Sequence, residues 1–183
     1  MSEARDYRYI GQRTIRPDGF DKVTGRANYA ADFSLPGMLW GKVLRSPHAH
    51  ARIRNIDTSK AEAMPGVFSV ATHADFHKAQ GNIEAGESTM DVRDLSRNIL
   101  ADEKVLYQGH PVAAIAAYSE RLAEEAMMLI EVDYEVLPHV LDIEASMENN
   151  APILHDDLFT KGLDEKPSKP SNIATRAQMK LGD

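Results

Sequence analysis

A chain of 183 residues is the size of about one domain, and with 43% hydrophobic and 27% charged residues it can bury a core, which excludes a disordered polyelectrolyte. A net charge of −7 argues against a phosphate-backbone binder, and the absence of cysteine excludes disulfides, thiolate zinc sites and iron–sulfur clusters within the chain. The opening MSEARDYRYIGQR has no apolar stretch of the kind a signal peptide needs, and the longest wholly apolar run, Val112–Tyr118, is far too short for a membrane span. The expected setting is cytoplasmic, with neither nucleic acid nor a membrane as partner.

Residues 1–20 form a polar N-terminal segment in which RPDG (16–19) predicts a tight turn. RANYAAD (26–32) alternates and predicts a first strand, and LPGM (35–38) predicts a second turn. In VLRSPHAHARIRNID (43–57), Ala49, Ala51 and Ile53 oppose His48, His50, Arg52 and Arg54, the period of a half-buried strand. Ser46-Pro47 marks a turn before it, so 39–45 is expected to be its hairpin partner. DTSKAEAMPG (57–66) predicts one short helix, with Ser59 and Glu62 at capping-box spacing and Pro65-Gly66 as the stop. VFSVAT (67–72) predicts a covered strand.

Residues 77–103 lack periodicity and are expected to be a long loop serving an interface. VLYQ (105–108), a turn at Gly109 and PVAAIAAY (111–118) predict two further strands, the second closely packed because of its alanines. SERLAEEAMMLI (119–130) predicts the best helix, capped by Ser119, with Leu122, Ala126, Leu129 and Ile130 on one face. IEVDYEV (130–136) alternates as a strand, and DIEASMEN (142–149) predicts a last helix. The prolines and lysines of KGLDEKPSKPSNIATR (161–176) leave 158–183 as an extended linker. Four to six strands with two or three helices, mixing hairpins with one strand–helix–strand unit, give an α+β domain with a mixed sheet.

Spacing alone offers several sites, each with a plainer alternative. His48 and His50 share a strand face, but zinc needs three or four ligands and no third is evident; a solvated or partner-facing strand is the better account of them. His73 and His77, four apart with Asp75 between them, would align only on a helix. His155, Asp156 and Asp157 form either a ligand triplet or a polar turn. Arg45, Arg52 and Arg54 can bind a phosphate or simply form a charged face. Single glycines in KVTGRA and YQGHP cradle no nucleotide, no G-x-S-x-G elbow is present, and Glu124-Glu125 lie on the wet face of a helix. The residues thus nominate no catalytic, cofactor-binding or metal-ligating position.

Three blocks taken together, DKVTGRANYAADFSLPGMLWGKVLRSPHAHARIRNID (21–57), VLYQGHPVAAIAA (105–117) and EEAMMLIEVDYEVLPHVLD (124–142), resemble one family. They are similar to the N-terminal region of the large, molybdopterin-binding subunit of the xanthine dehydrogenase and aldehyde oxidase family. That family includes bacterial carbon monoxide dehydrogenases, hydroxybenzoyl-CoA reductases and N-heterocycle hydroxylases. The resemblance covers roughly residues 9 to 183 and implies an α/β hammerhead domain at 21–157, with 158–183 leading toward an absent molybdopterin-binding domain. It implies an oxidoreductase that hydroxylates an aldehyde, N-heterocycle or related small molecule with water as oxygen source, in which this chain is the scaffold and inactive alone. The implied cofactors are molybdopterin, in its cytosine dinucleotide form, with iron–sulfur clusters and often FAD, all held outside this chain. The implied partners are the remaining molybdopterin-binding region or subunit, an iron–sulfur subunit and a flavin subunit. Whether the chain is a fragment or a separately encoded piece stays open, and a free-standing binding or assembly module without redox activity is the alternative.

Overall fold

The computed structural model describes residues 7–76, 81–85 and 88–182. Two compact units divide the chain after Met38. In the first, RPDG closes the expected turn, Gly19 N–H donating to Arg16 O, and leads into helix α1 (Gly19–Val23). Asp18 anchors that start with Arg16 Nη2 at 2.9 Å and Lys22 Nζ at 2.7 Å, and the two cations hold its carboxyl below the usual range. The strand expected at 26–32 does not form. Asp32 Oδ2 accepts from Tyr29 N–H at 3.0 Å and closes a 3-10 turn over Ala30–Asp32, a local side-chain bond that competes with sheet pairing. LPGM turns as expected, with Gly37 at φ +78 and Met38 N–H donating to Leu35 O.

The second unit starts from Leu39 and contains strands β1 (Trp40–Arg45), β2 (Ala51–Asp57) and β3 (Val67–Thr72), with the short helix α2 (Ser59–Glu62) before β3. Beyond lie the hairpin β4 (Asn82–Ala85) and β5 (Ser88–Asp91), helix α3 (Val92–Ile99), β6 (Lys104–Val105) and β7 (Pro111–Ala117). Helix α4 (Glu120–Met127), β8 (Glu131–Val136) and α5 (Ile143–Ser146) complete the elements. The α+β expectation holds. The count is higher than expected, with eight strands and five short helices among the described residues.

β7 is the middle of an antiparallel sheet ordered β1-β7-β3, and β2 is the middle of a second ordered β6-β2-β8. The predicted hairpin of 39–45 with the 49–54 strand is therefore wrong: β1 and β2 lie in different sheets. A tight hairpin needs residues that accept positive φ, and Ser46 to His50 supply none. Instead, Ser46 exchanges backbone bonds with the 109–110 turn, donating to His110 O at 2.9 Å and accepting from Gly109 N–H at 2.8 Å. By His50 the chain has changed neighbours, because its carbonyl accepts from Leu137 N–H at 2.9 Å, next to β8. Residues 46–50 thus carry the chain from one sheet to the other.

Within β2 the register against β8 jumps between Ile53 and Asn55. Arg54 is the extra residue, so the inward set becomes Ala51, Ile53 and Ile56 rather than a strict alternation. Arg54 Nη2 lies 2.5 Å from Glu135 Oε2, with about half of each side chain in water. Such surface pairs contribute little, and Arg54→Ala is expected to change the unfolding free energy by about 0.5 kcal/mol or less, read from urea midpoints.

Helix α4 forms where expected, Ser119 Oγ accepting from Leu122 N–H at 3.3 Å. Its buried face is Ala123 and Ala126, while Leu129 is 38% exposed, because the helix ends at Met127 and Leu129 falls in the turn that leads to buried Ile130. Lys42 Nζ bridges Glu120 at 2.8 Å and Glu124 at 2.9 Å, which places α4 on the Lys42–Ile115–Val70 side of the first sheet. One apolar cluster joins Ala61, Ala113, Ile115, Ala126 and Ile130; a second joins Ala51, Ala101, Val105 and Val112. Ile56 and Val132 pack against both.

Three further expectations need correction. β3 is an edge strand, not a covered one, and Phe68 is 64% exposed at a register irregularity. The strand expected at 105–108 is only Lys104–Val105, because Tyr107 to His110 closes a turn with Gly109 at φ +88. The long loop expected over 77–103 carries β4, β5 and α3; Ile83 faces Met90 across the hairpin, and residues 77–80 and 86–87 lie outside the described residues.

The tail past Leu158 has no regular strand, yet its first part returns upon itself. Lys161 N–H donates to Ala174 O and Arg176 N–H to Lys161 O, both at 2.9 Å. Asn172 ties it down, accepting from Leu154 N–H and donating to Ser146 O and Pro152 O. Gly162 must be glycine here, since φ is +77 and a Cβ would stand 2.1 Å from Arg176 O.

Candidate functional site

The crossover at 46–50, the turn at 106–110 and the stretch after β8 meet at one end of the second sheet. Ser46 builds the crossover locally: its Oγ accepts from His48 N–H at 3.0 Å and donates to His48 O at 3.2 Å. His48 and His50 lie before β2, not on its face as the alternation suggested, and they do different things. His48 meets the Tyr134 ring edge-on at 5.1 Å. His50 is 4% exposed, and its Nδ1 lies 2.7 Å from Pro138 O. A carbonyl can only accept, so Nδ1 carries a hydrogen. Its Nε2 is buried without a hydrogen-bond partner among the described residues.

The arginines do not assemble an anion site. Arg45 donates to Gly109 O at 2.9 Å, while Arg52 and Arg54 both turn toward Glu135 at 3.8 and 2.5 Å. His73 Nδ1 pairs with Asp102 Oδ1 at 3.2 Å; His77, its proposed companion, lies outside the described residues. The HDD triplet is also spoken for, Asp156 by Lys104 and Asp157 by Arg97, each at 2.8 Å. These two ion pairs, with His155, line a cavity of about 150 Å³. Glu120, Glu124 and Glu125 of α4 serve Lys42 and Arg121, as a wet helix face would.

Sequence reasoning passed over His110, which joins the pieces. It is fully buried and stacks on Tyr107 at 4.4 Å. Leu106 N–H donates to its Nδ1 at 3.1 Å and its Nε2–H donates to Arg97 O at 2.9 Å, an arrangement that fixes the neutral tautomer. The only signal was a histidine between a turn glycine and an apolar strand in QGHPVAA. Burial holds its pKa below the ordinary value, outweighing the bond to Arg97 O, and burial lowers that of His155 in the same way. Both therefore bind protons more readily once the chain is unfolded. Their contribution is fully present above about pH 6.5 and is lost as pH falls below it, by at most about 1.4 kcal/mol per pH unit per histidine. Urea midpoints should accordingly drop from about pH 7.5 to about pH 5.5.

A groove of about 520 Å³ runs beside this junction, between the crossover, the 106–108 turn and residues 136–141. Its walls include Pro47, His50, Tyr107, Val136, His139 and Leu141, and none of the described residues lining it is Asp, Glu, Lys or Arg.

Residues 24–138 match the family described as aldehyde oxidase and xanthine dehydrogenase, a/b hammerhead domain. The chain belongs to this family. The hammerhead domain is 44% identical over 160 residues to the carbon monoxide dehydrogenase large chain of Afipia carboxidovorans, a match covering 83% of this chain and 18% of that one. It is 41% identical over 143 residues to a probable xanthine dehydrogenase subunit from Bacillus subtilis, covering 78% and 18%. Among solved structures it superposes on the aldehyde oxidoreductase of Desulfovibrio gigas with a TM-score of 0.66 at 36% identity, covering 78% and 16%. The hammerhead chain thus spans less than a fifth of the length of these relatives.

The described residues of the hammerhead do not fit the molybdenum cofactor. They hold no group of three or more His, Asp or Glu placed for a metal ion, and glycines with positive φ stand singly at turns such as 35–38 and 107–110 rather than in a phosphate-cradling loop. No helix among them is long and apolar enough to cross a membrane.

Proposed function

We propose that this chain is the scaffold domain of a molybdenum-dependent oxidoreductase that hydroxylates an aldehyde, N-heterocycle or related small molecule with oxygen from water. The observation that carries the reading is 44% identity across 83% of the chain to one part, 18%, of a molybdenum-family large chain. Residues 21–157 act as the hammerhead, 1–20 as its polar lead and 158–183 as the connection toward a molybdopterin-binding region. The cofactor is the cytosine dinucleotide form, and electrons leave through iron–sulfur clusters and FAD on other domains or subunits, in the cytoplasm. Cysteine-free, the chain offers no ligands for such clusters, which suits this division of labour.

Native purification tests the proposal. Molybdenum, iron and larger chains should accompany the domain, and the isolated 183-residue chain, made in a host that synthesises the cofactor, should show neither oxidase activity nor bound molybdenum. A lone 20.3 kDa species from the native source would favour a free-standing module instead.

A further inference from the structure

We propose that the Asp18–Gly19 peptide in the RPDG turn is a site of spontaneous modification, where Asp18 converts to isoaspartate, and that Arg16 and Lys22 hold the conversion back. All of the residues involved lie in the first unit. The chemistry needs neither oxidant nor cofactor. Gly19 N attacks Cγ of Asp18, the nitrogen loses its proton, and one carboxyl oxygen departs as water, closing a succinimide. Water then adds to the ring carbonyl that was the Asp18 backbone carbon and breaks its bond to Gly19 N. The mass returns to its starting value. The chain now runs through Cβ and Cγ, and the former backbone carbon is a free carboxylate.

The sequence offers this reaction one place of least hindrance. Asp18-Gly19 is its sole Asp-Gly step, and it has no Asn-Gly step. Lacking a Cβ, Gly19 leaves its own nitrogen open to approach Cγ. No core restrains the peptide either, since the Asp18 side chain is 51% exposed and α1 has no buried residue.

What restrains it is local, and it opposes each requirement of ring closure. The nitrogen must eclipse Cβ about the Cα–C bond. Asp18 has φ −90 and ψ 0, so Gly19 N eclipses the Asp18 N instead. The nitrogen must also give up its proton, yet Gly19 N–H is engaged on Arg16 O at 3.1 Å. Finally, the departing oxygen must be protonated. Arg16 Nε and Nη2 donate to Oδ1 and Oδ2 at 3.0 and 2.9 Å, and Lys22 Nζ lies 2.7 Å from Oδ2. The two cations favour the ionised carboxylate, the form that does not shed an oxygen. The two-pronged arginine bond also fixes the side chain's direction. Isomerisation would add a backbone carbon between Asp18 and Gly19 and so undo the turn that Arg16 O and Gly19 N–H close.

Isoaspartate at Asp18 would be followed over time, at neutral pH, in the 183-residue chain and in a synthetic peptide of residues 13–25. Peptide mapping with electron-transfer fragmentation distinguishes it from aspartate of the same mass. The chain should accumulate it roughly tenfold more slowly than the peptide, the ratio that about 1.4 kcal/mol of added barrier gives. Arg16→Ala combined with Lys22→Ala should bring the chain close to the peptide's rate, and the same pair of substitutions in the peptide should change little. Lys22→Ala alone, which keeps the arginine's two bonds, should fall between. Arg13→Ala, which removes a cation that is not among those acting on Asp18, should leave the rate of the chain unchanged. Equal rates in chain and peptide, no isoaspartate in the peptide, or a double variant as slow as the native chain would each overturn the proposal.

Discussion

Ile115→Ala is expected to lower the unfolding free energy by about 2–5 kcal/mol. Ile115 is 2% exposed in the central strand β7 and faces Lys42 on one side and Val70 on the other. Its buried neighbours are mainly Ala61, Ala113 and Ala126, together with Ile130. These alanines have no side chain to swing into a void, so the space left by the deleted methyls can shrink only by movement of the partly buried side chains packed around them, such as Leu44, Met64 and Met127. The residual cavity then adds to the lost transfer free energy. A guanidinium midpoint that falls without a change in slope would show this. A loss of under about 1 kcal/mol would mean the site collapses, and that α4 is less firmly seated than its Lys42 bridges indicate.

His110→Ala is expected to cost about 3 kcal/mol for a different reason. The substitution leaves Leu106 N–H without its acceptor and Arg97 O without its donor in a place that water does not reach. It also empties the ring's stack on Tyr107. Because burial holds down the pKa of His110, as it does that of His155, the variant should also lose part of the acid sensitivity described above. The urea midpoint of the variant should therefore change less between about pH 7.5 and about pH 5.5 than that of the native chain. A stability loss with an unchanged pH slope would assign the effect to packing alone.

The parts legible in the sequence are those where local chemistry decides the structure. PVAAIAAY, Ser119 and the alternation of Val132 and Tyr134 mark out the β7–α4–β8 unit, because an apolar run, a cap and a period of two are each properties of a few adjacent residues. Strand partners are not. The alternation in 49–54 identifies a strand, but nothing in it says whether 40–45 or 131–136 lies alongside; that depends on the crossover, whose bonds go to residues 109, 110 and 137. The extra residue Arg54 then breaks the alternation in mid-strand. The β4–β5 hairpin has one apolar cross-strand pair, Ile83 and Met90, too little for a pattern. At the groove, the spacing of His48 and His50 suggests a ligand pair. The features that matter, Nδ1 of His50 on a carbonyl 88 residues away and its Nε2 buried without a partner among the described residues, exist only after folding.

Ile56 and Val132 belong to both apolar clusters, and this sets how the domain yields under stress. Melting one half-core would strip cover from two side chains that the other half-core also needs, so neither has a stable existence as a remnant. The β1–β7–β3 and β6–β2–β8 sheets should lose their structure in a single cooperative step, with no partly unfolded form in which one persists. A groove built where the second sheet receives its crossover therefore moves with both three-stranded sheets of the second unit as one piece, and not with the 46–50 crossover alone.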